Sequence, residues 1–113
     1  MNNPATSKND FSDCPDILKE YLYYSESIRA LSPRTVNGYS IDLRTFFRFM
    51  KQHRGLVAED CPFEKIDIID INLAFVKDIS KYDIYEFFHF VTNDRNNSAA
   101  SRARKLSSLK GFF

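Results

Sequence analysis

The stretch Leu31–Met50, LSPRTVNGYSIDLRTFFRFM, decides the fold of this chain. Ser32 followed by Pro33 is a start signal for a helix, because a serine side chain caps free N–H groups and proline suits the first helical position. Apolar side chains then recur every three or four residues, which is helical spacing. They are Val36, Tyr39, Leu43, Phe46, Phe47 and Met50. We therefore predict a helix over residues 33–53 that buries one face and ends near Gly55.

The opposite side of this second predicted helix is basic. The same spacing places on it Arg34, Asn37, Ile41, Arg44, Arg48 and Lys51. Such a face is typical of a solvated helix surface, but it also suits contact with an acidic partner. The residues alone leave both interpretations open.

Three further helices are predicted from caps and apolar periodicity. Asp16 at a cap position precedes a first helix over residues 16–30, with residues 1–15 as a flexible leader. Ser80 and Asp83 resemble a capping box, which predicts a third helix over 81–93. Its apolar stripe is Ile84, Phe87, Phe88 and Val91.

Ser98 is the expected cap of a fourth helix that runs to residue 113. The side chains predicted to share its apolar side are Ala99, Ala103, Leu106, Leu109 and Phe113. Between the second and third helices, the segment 66–71, IDIIDI, fits a short strand or an irregular apolar connection. It is also compatible with another short helix through Leu73 and Phe75. The predicted fold class is all-α.

Length and composition indicate one domain. The chain has 113 residues, of which 43% are hydrophobic and 15% aromatic, enough for a single core. Nothing resembles a signal peptide or a membrane span. Cys14 and Cys61 lack the spacing of a metal or redox site and are expected to be unpaired thiols, so we expect a cytoplasmic protein.

The net charge of +1 conceals a strong charge pattern. Residues 29–58 carry six basic groups against Asp42 alone, and residues 95–113 carry five basic groups and no acid. Residues 59–94, between these blocks, hold nine acidic and three basic groups. Folding could bring the two basic blocks together into one positive face.

No catalytic motif is present. The chain has no HExxH sequence, no GxSxG sequence and only three glycines, too few for a phosphate-binding loop. His53 and His89 are expected to be surface or half-buried histidines, so we predict neither a metal nor a cofactor and no active site in this chain. Basic helices that also carry serine, threonine and asparagine can instead hold phosphates and read base edges of DNA.

An ordered series of motifs resembles a known family. The pattern S-x-x-T-x-x-x-Y-x-x-D-L-x-x-F is matched from Ser32 to Phe46, and R-K-L-S-x-L-K/R-x-F-F is matched from Arg104 to Phe113. Between them lies DISKYDIYEFFHFV, residues 78–91. Residues 16–113 thus resemble the N-terminal SAM-like, or core-binding, domain of Xer and phage-type tyrosine recombinases.

The resemblance implies a four-helix SAM-like orthogonal bundle that forms half of a C-shaped clamp around double-stranded DNA. The second and fourth helices would approach the major groove, and other protomers would complete a tetramer. The family's catalytic residues belong to a C-terminal domain, which we expect to be absent from this chain, so no tyrosine here is assigned as nucleophile. The expected DNA contacts are Ser32, Arg34, Thr35, Asn37, Arg44, Arg48, Ser101, Arg102, Arg104 and Lys105.

One departure from the family pattern is the acidic stretch 56–79, which is bulkier than the expected connection and could form an extra contact surface. Two other hypotheses remain. The chain could be a helical protein–protein adaptor whose basic faces bind an acidic partner, or a regulator that binds DNA without cutting it. The function expected from the resemblance is DNA integration and recombination by the intact protein.

Overall fold

A computed structural model describes residues 9–93 and 95–113, and the regular secondary structure of this part of the chain is entirely helical. One core unites the helices, as the all-α prediction requires. The helices are α1 (Asp16–Ser27), α2 (Pro33–His53), α3 (Leu73–Lys77), α4 (Lys81–Asn93) and α5 (Ala99–Phe112).

Helix α2 is the central element and packs against α1, α4 and α5. Its predicted start is confirmed, since the Ser32 side chain accepts a hydrogen bond from the Thr35 N–H at 3.1 Å. Its predicted apolar stripe is also confirmed, with Tyr39 partly buried at the edge of the core. The stripe members with no exposed surface are Val36, Leu43, Phe46, Phe47 and Met50.

Helix α1 is shorter than predicted and is capped differently. It ends at Ser27, and the chain turns through Ala30, whose φ of 54° lies in the left-handed region. The N–H of Leu31 then reaches back to the carbonyl of Ser25 at 3.0 Å, which closes the helix end. Asp16 lies in the first turn and not at the cap, where Pro15 makes no side-chain hydrogen bond.

The predicted flexible leader is only partly described, because residues 1–8 lie outside the described residues. Phe11, Cys14 and Pro15 are buried against the helices. The prediction of a flexible leader is therefore wrong for residues 9–15, because their apolar side chains complete the core. Sequence periodicity could not reveal this, since these residues form a turn, closed by the Cys14 N–H on the Phe11 carbonyl at 2.9 Å, and a turn has no regular apolar spacing.

The connection after α2 is irregular, and no strand forms within residues 54–72. A 3-10 turn at Phe63–Lys65 leads into an extended segment that buries Ile66, Ile68 and Ile71. Of the predicted alternatives, the irregular connection and the extra short helix are both confirmed, since α3 follows at Leu73–Lys77. The connection is thus held against the bundle by three isoleucines, with a turn between Ile68 and Ile71.

Helix α4 matches its predicted bounds of 81–93. The capping box is confirmed, because the Ser80 N–H donates to Asp83 at 2.8 Å and the Asp83 N–H donates to the Ser80 hydroxyl at 3.1 Å. Phe87 and Val91 are buried, and the Phe87 ring meets that of Phe46 edge to face at 5.0 Å.

Helix α5 begins at its predicted cap, with Ser98 accepting from the Ser101 N–H at 3.1 Å. Of the side chains predicted to share its apolar side, Leu109 is buried, and the prediction is wrong for the other members. Lys105, Ser108 and Leu109 are buried, whereas Leu106 is 44% exposed. Also exposed are Ala99, Ala103 and Phe113. Helix α5 turns a largely polar face toward the bundle because α2 presents a buried carboxylate there.

Candidate nucleic-acid interface

The buried carboxylate is that of Asp42 on α2. Its side chain is 1% exposed and accepts two hydrogen bonds of 2.8 Å from the Nε and Nη2 atoms of Arg104 on α5. The ammonium of Lys105, whose side chain is 8% exposed, donates to the same carboxylate at 3.2 Å. Hydrogen bonding to Asp42 raises the pKa of the Arg104 guanidinium, so its positive charge is permanent. Two cations on one carboxylate join α5 to α2.

The Arg104 side chain passes beside Gly38 to reach Asp42. Gly38 lies one helical turn before Asp42, and the position its Cβ would occupy is 3.5 Å from Cδ and 3.6 Å from Nε of Arg104. The arginine side chain therefore lies flat along α2 on its way to Asp42. Its outer part remains accessible, since 48% of the Arg104 side chain is exposed.

A shallow cavity of about 340 Å³ opens beside this guanidinium. Arg34 and Thr35 line it from α2, and Arg104 and Ser107 line it from α5. The predicted contacts Arg34, Thr35 and Arg104 are thus brought together, although 69 residues separate Thr35 from Arg104. Arg34 makes no ion pair with any acidic residue that the structure describes. Two arginines and two hydroxyl groups on adjacent helices give a site suited to an anionic oxygen group.

Three other predicted contacts flank this cavity or lie on the same helices. Ser32 and Asn37 are exposed on the first turns of α2, and Ser101 is half-buried in the first turn of α5. The Ser32 hydroxyl donates to the Thr35 hydroxyl oxygen at 3.0 Å, which leaves the Thr35 hydroxyl hydrogen available to a further acceptor.

Arg44 lies apart from this group and faces the segment before α1. Its Nε atom donates to both carboxylate oxygens of Asp13 at 3.1 Å, and its Nη2 atom donates to the Asp10 carbonyl at 2.8 Å. Its Nη1 atom donates to Ser40 at 2.9 Å. Only 14% of the Arg44 side chain is exposed, so its guanidinium is occupied within the chain.

Arg48 and Lys51 face the acidic connection. Arg48 lies 3.6 Å from Glu64 and donates to the Ile66 carbonyl at 3.3 Å. Lys51 pairs with Asp70 and donates to the Asp67 carbonyl at 2.7 Å. The hydrogen bond from Lys51 holds the pKa of Asp70 below its ordinary value. The basic face of α2 is therefore open to solvent near its start and covered along its second half.

Arg102 lies on a different side of α5, where it donates to the Asn97 carbonyl at 2.7 Å. It borders a mainly apolar groove of about 540 Å³ between α4 and α5. The groove exists because α5 leaves its apolar stripe exposed. The residues that line it are Phe88, His89, Thr92, Asn93, Ala99, Arg102, Ala103 and Leu106.

Sequence reasoning missed Asp42, Gly38 and Ser107 as members of the site. A signal existed for Asp42, which is the only acidic residue between residues 29 and 58 and belongs to the Y-x-x-D-L motif. A lone acid on an otherwise basic helix has to find a counter-charge, and a distant basic helix is one source. No comparable signal marked Gly38 or Ser107.

Among the described residues, no group of histidine, cysteine or carboxylate side chains is placed to hold a metal ion. No helix in the same part of the chain is long and apolar enough to cross a membrane. Cys14 and Cys61 are free thiols, as predicted.

Comparison with known proteins identifies the family of this chain. Residues 18–113 match the family described as phage integrase, N-terminal SAM-like domain. The chain belongs to this family. The resemblance drawn from the two motifs is thereby confirmed, and the all-α bundle is consistent with it.

Among curated proteins, the chain is similar to tyrosine recombinase XerC of Caldanaerobacter subterraneus subsp. tengcongensis, with 43% identity over 99 residues, or 88% of this chain and 28% of the relative. It is 30% identical to XerC of Leptospira interrogans over 98 residues, or 87% of this chain and 25% of the relative. Tyrosine recombinase XerD of Listeria monocytogenes is 30% identical over 98 residues, which cover 87% of this chain and 27% of the relative. No solved structure matches the chain.

The chain thus spans about a quarter of the length of these curated relatives. The family membership supports a role in recombination.

Proposed function

We propose that this chain is the DNA-binding domain of a site-specific tyrosine recombinase and grips duplex DNA through α2 and α5. The observation that carries the proposal is the cavity where Arg34 and Thr35 of α2 meet Arg104 of α5. A duplex backbone presents closely spaced phosphates, and arginine binds phosphate oxygens strongly because its N–H groups match them in pairs.

The charge distribution supports the same surface. In the second half of α2, Arg48 pairs with Glu64 and Lys51 pairs with Asp70, both in the acidic connection. Arg44 pairs with Asp13. Arg34, at the start of the helix, has no such partner among the described residues. The uncompensated positive charge therefore concentrates where the first turns of α2 approach α5.

The predicted contacts divide into two groups in this proposal. Those that reach DNA phosphates or base edges directly are Ser32, Arg34, Thr35, Asn37, Ser101 and Arg104. Those that act within the domain are Arg44, Arg48, Arg102 and Lys105, because each donates to an acidic side chain or a backbone carbonyl and none is exposed, whereas 48% of the Arg104 side chain stays exposed beside Asp42.

The direct test is titration of the chain with a mixed-sequence duplex of about 20 base pairs, followed by NMR amide shifts at low and moderate salt. We expect shifts clustered on residues 32–38 and 98–107 that fade as salt rises, since phosphate contacts release counterions. Arg34→Ala should weaken binding. Lys77→Ala on α3 is the matched control, because it removes an equal charge from an exposed helix outside the cavity.

Two results would favour the alternative functions. No duplex binding at low salt would favour the adaptor, and a search for acidic protein partners would follow. Duplex binding together with a gene that encodes no downstream segment carrying the Arg…His-x-x-Arg…Tyr order would favour a non-catalytic DNA-binding regulator.

In the intact protein we propose that a catalytic domain follows and that the reaction is DNA recombination or integration in the cytoplasm. We also propose that protomers assemble into a tetramer around two duplexes. The exposed apolar stripe of α5, with Leu106 at its centre, is a candidate protomer contact. Leu106→Asp in the intact protein should then reduce assembly on DNA, as measured by analytical ultracentrifugation, while single-site binding persists.

A further inference from the structure

We propose that Asp42 is a positioning residue: it fixes the Arg104 guanidinium so that its outer edge, together with Arg34, forms a subsite for one backbone phosphate. The hydroxyl groups of Thr35 and Ser107 complete this subsite. The inference rests on the proposed DNA-binding function and deepens it, because it assigns the ligand group and gives a buried acid a part in binding an anion.

The hydrogen-bonding capacity of the guanidinium supports this role. An arginine side chain carries five N–H groups in a plane. Asp42 occupies Nε and one N–H of Nη2, on the inner edge, with two bonds of 2.8 Å. The two N–H groups of Nη1 and the second one of Nη2 therefore remain on the outer edge. That edge can donate two parallel hydrogen bonds to phosphate oxygens.

The fixed position of Asp42 makes the outer edge rigid. The Asp42 carboxylate is 1% exposed and is held also by Lys105. The arginine stem also lies along α2 beside Gly38. A free arginine would lose rotamer freedom on binding a phosphate, and a pre-positioned one has already lost it during folding.

The net charge of Asp42 and the cations around it also favours phosphate binding at the subsite. If Arg104 were the only cation paired with Asp42, the pair would carry no net charge and would not attract phosphate. Lys105 supplies a second cation beneath Arg104, so the three side chains together keep one positive charge. Arg34 adds another across the cavity. The buried acid thus orients Arg104 without neutralising the site.

Asp42→Asn gives a test in which simple electrostatics and positioning predict opposite results. The substitution keeps the shape of the side chain and removes a negative charge, so general attraction to DNA should rise. The positioning role predicts weaker DNA binding, because the NH₂ group of the asparagine cannot accept a hydrogen bond from Arg104. We expect binding of a mixed-sequence duplex to weaken roughly threefold to tenfold, as for one charge-assisted contact. The slope of log affinity against log salt should also fall by about 0.9.

Two further variants make the result specific. Arg104→Lys keeps the charge but cannot make two parallel bonds, so its affinity should fall as that of Asp42→Asn does. Ser107→Ala should weaken binding to a smaller extent, and its exposed side chain makes it safe for folding if Asp42→Asn is unstable. Glu64→Gln is the control: it removes an equal negative charge that pairs with Arg48 and Arg95, and it should not weaken binding.

Fluorescence anisotropy with a labelled duplex, at a temperature where circular dichroism shows each variant folded, measures all of these. If the wild type binds and Asp42→Asn binds equally or more tightly, the positioning role is overturned while the proposed function stands. If Asp42→Asn weakens binding with an unchanged salt slope and Arg104→Lys binds as the wild type, Asp42 acts on the fold alone, which also overturns the proposal. A wild type that binds no duplex at low salt overturns both.

Discussion

Asp42 and Arg104 lie 62 positions apart in the chain, and two hydrogen bonds of 2.8 Å join their side chains. This pair, with Lys105, connects α2 to α5 at a place where a small helical domain would ordinarily use apolar side chains. The contact determines which face of α5 is buried, and it brings together the arginines proposed to bind DNA.

We predict that Asp42→Ala destabilises the chain strongly, by roughly 3 kcal/mol, because it leaves the buried Lys105 ammonium without its partner. Arg104→Ala should cost less, since Lys105 still pairs with Asp42 and the arginine is half-exposed. Urea unfolding followed by circular dichroism measures both. Equal costs for the two variants would contradict this division of roles.

Two glycine substitutions should have opposite effects on stability. Gly38→Ala adds a Cβ that meets Arg104 at 3.5 Å, an ordinary contact, and should stabilise α2 by about 0.5–1 kcal/mol. Gly111→Ala would place its Cβ in steric overlap with the hydroxyl of Tyr21, a largely buried side chain whose ring packs edge to face on Phe112. It should destabilise the chain by about 1–3 kcal/mol.

The unfolding midpoints of the two glycine variants, compared with that of the wild type in one thermal scan series, provide the measurement. A fall in the midpoint for Gly38→Ala would mean that Arg104 cannot share the space beside α2. An unchanged midpoint for Gly111→Ala would mean that Tyr21 moves without cost.

The two cysteines should differ in reactivity. Burial raises the pKa of the Cys14 thiol to about 11, and the side chain has no exposed surface. Cys61 is partly exposed. At pH 8 we therefore expect an aromatic disulfide reagent to modify Cys61 rapidly in the folded chain. In denaturant it should modify both cysteines. Cys61→Ser should abolish the rapid reaction, whereas a rapid reaction that persists in this variant would show that the segment before α1 opens.

Acid should destabilise the fold through carboxylates whose pKa is lowered in the folded chain. The hydrogen bond from Lys51 lowers the pKa of Asp70 from 3.8. Burial raises the pKa of Asp83, but hydrogen bonds from Ser80 and the positive charge of Arg54 lower it by more. The pKa of Asp83 is therefore also below its ordinary value. Such groups stabilise the fold fully above their unfolded pKa, and this contribution is lost as the pH falls through their folded values.

We accordingly expect the free energy of unfolding to decrease as the pH falls below about 4. Ser80→Ala should bring the pKa of Asp83 only part of the way back toward 3.8, because it removes the side-chain hydrogen bond from Ser80 that lowers this pKa but keeps the bond from the Ser80 backbone N–H to the carboxylate. Carboxyl NMR titration of Asp83 measures this shift, with Asp70 in the same spectra as an internal control. A shift of both aspartates together would indicate general unfolding.

The sequence by itself determined where α2, α4 and α5 begin and what kind of residue caps them. The caps at Ser32, Ser80 and Ser98 were all predicted, and so was the apolar stripe of α2. These features depend on interactions within one or two helical turns, so local spacing contains the information. The family motifs lie in the same elements, and for that reason the fold class could be predicted as well.

Only the tertiary structure decided which charges remain open and which face of α5 is buried. The basic residues of α2 form a single stripe in sequence, yet Arg44 is covered by Asp13 and Lys51 by Asp70, 31 and 19 positions away. Periodicity favoured burial of Leu106, but the carboxylate of Asp42 required counter-charges in the core, and Arg104 and Lys105 supply them. A buried charge must be paired, and its partner can lie anywhere along the chain. A pattern within one or two helical turns cannot indicate which distant residue that partner is.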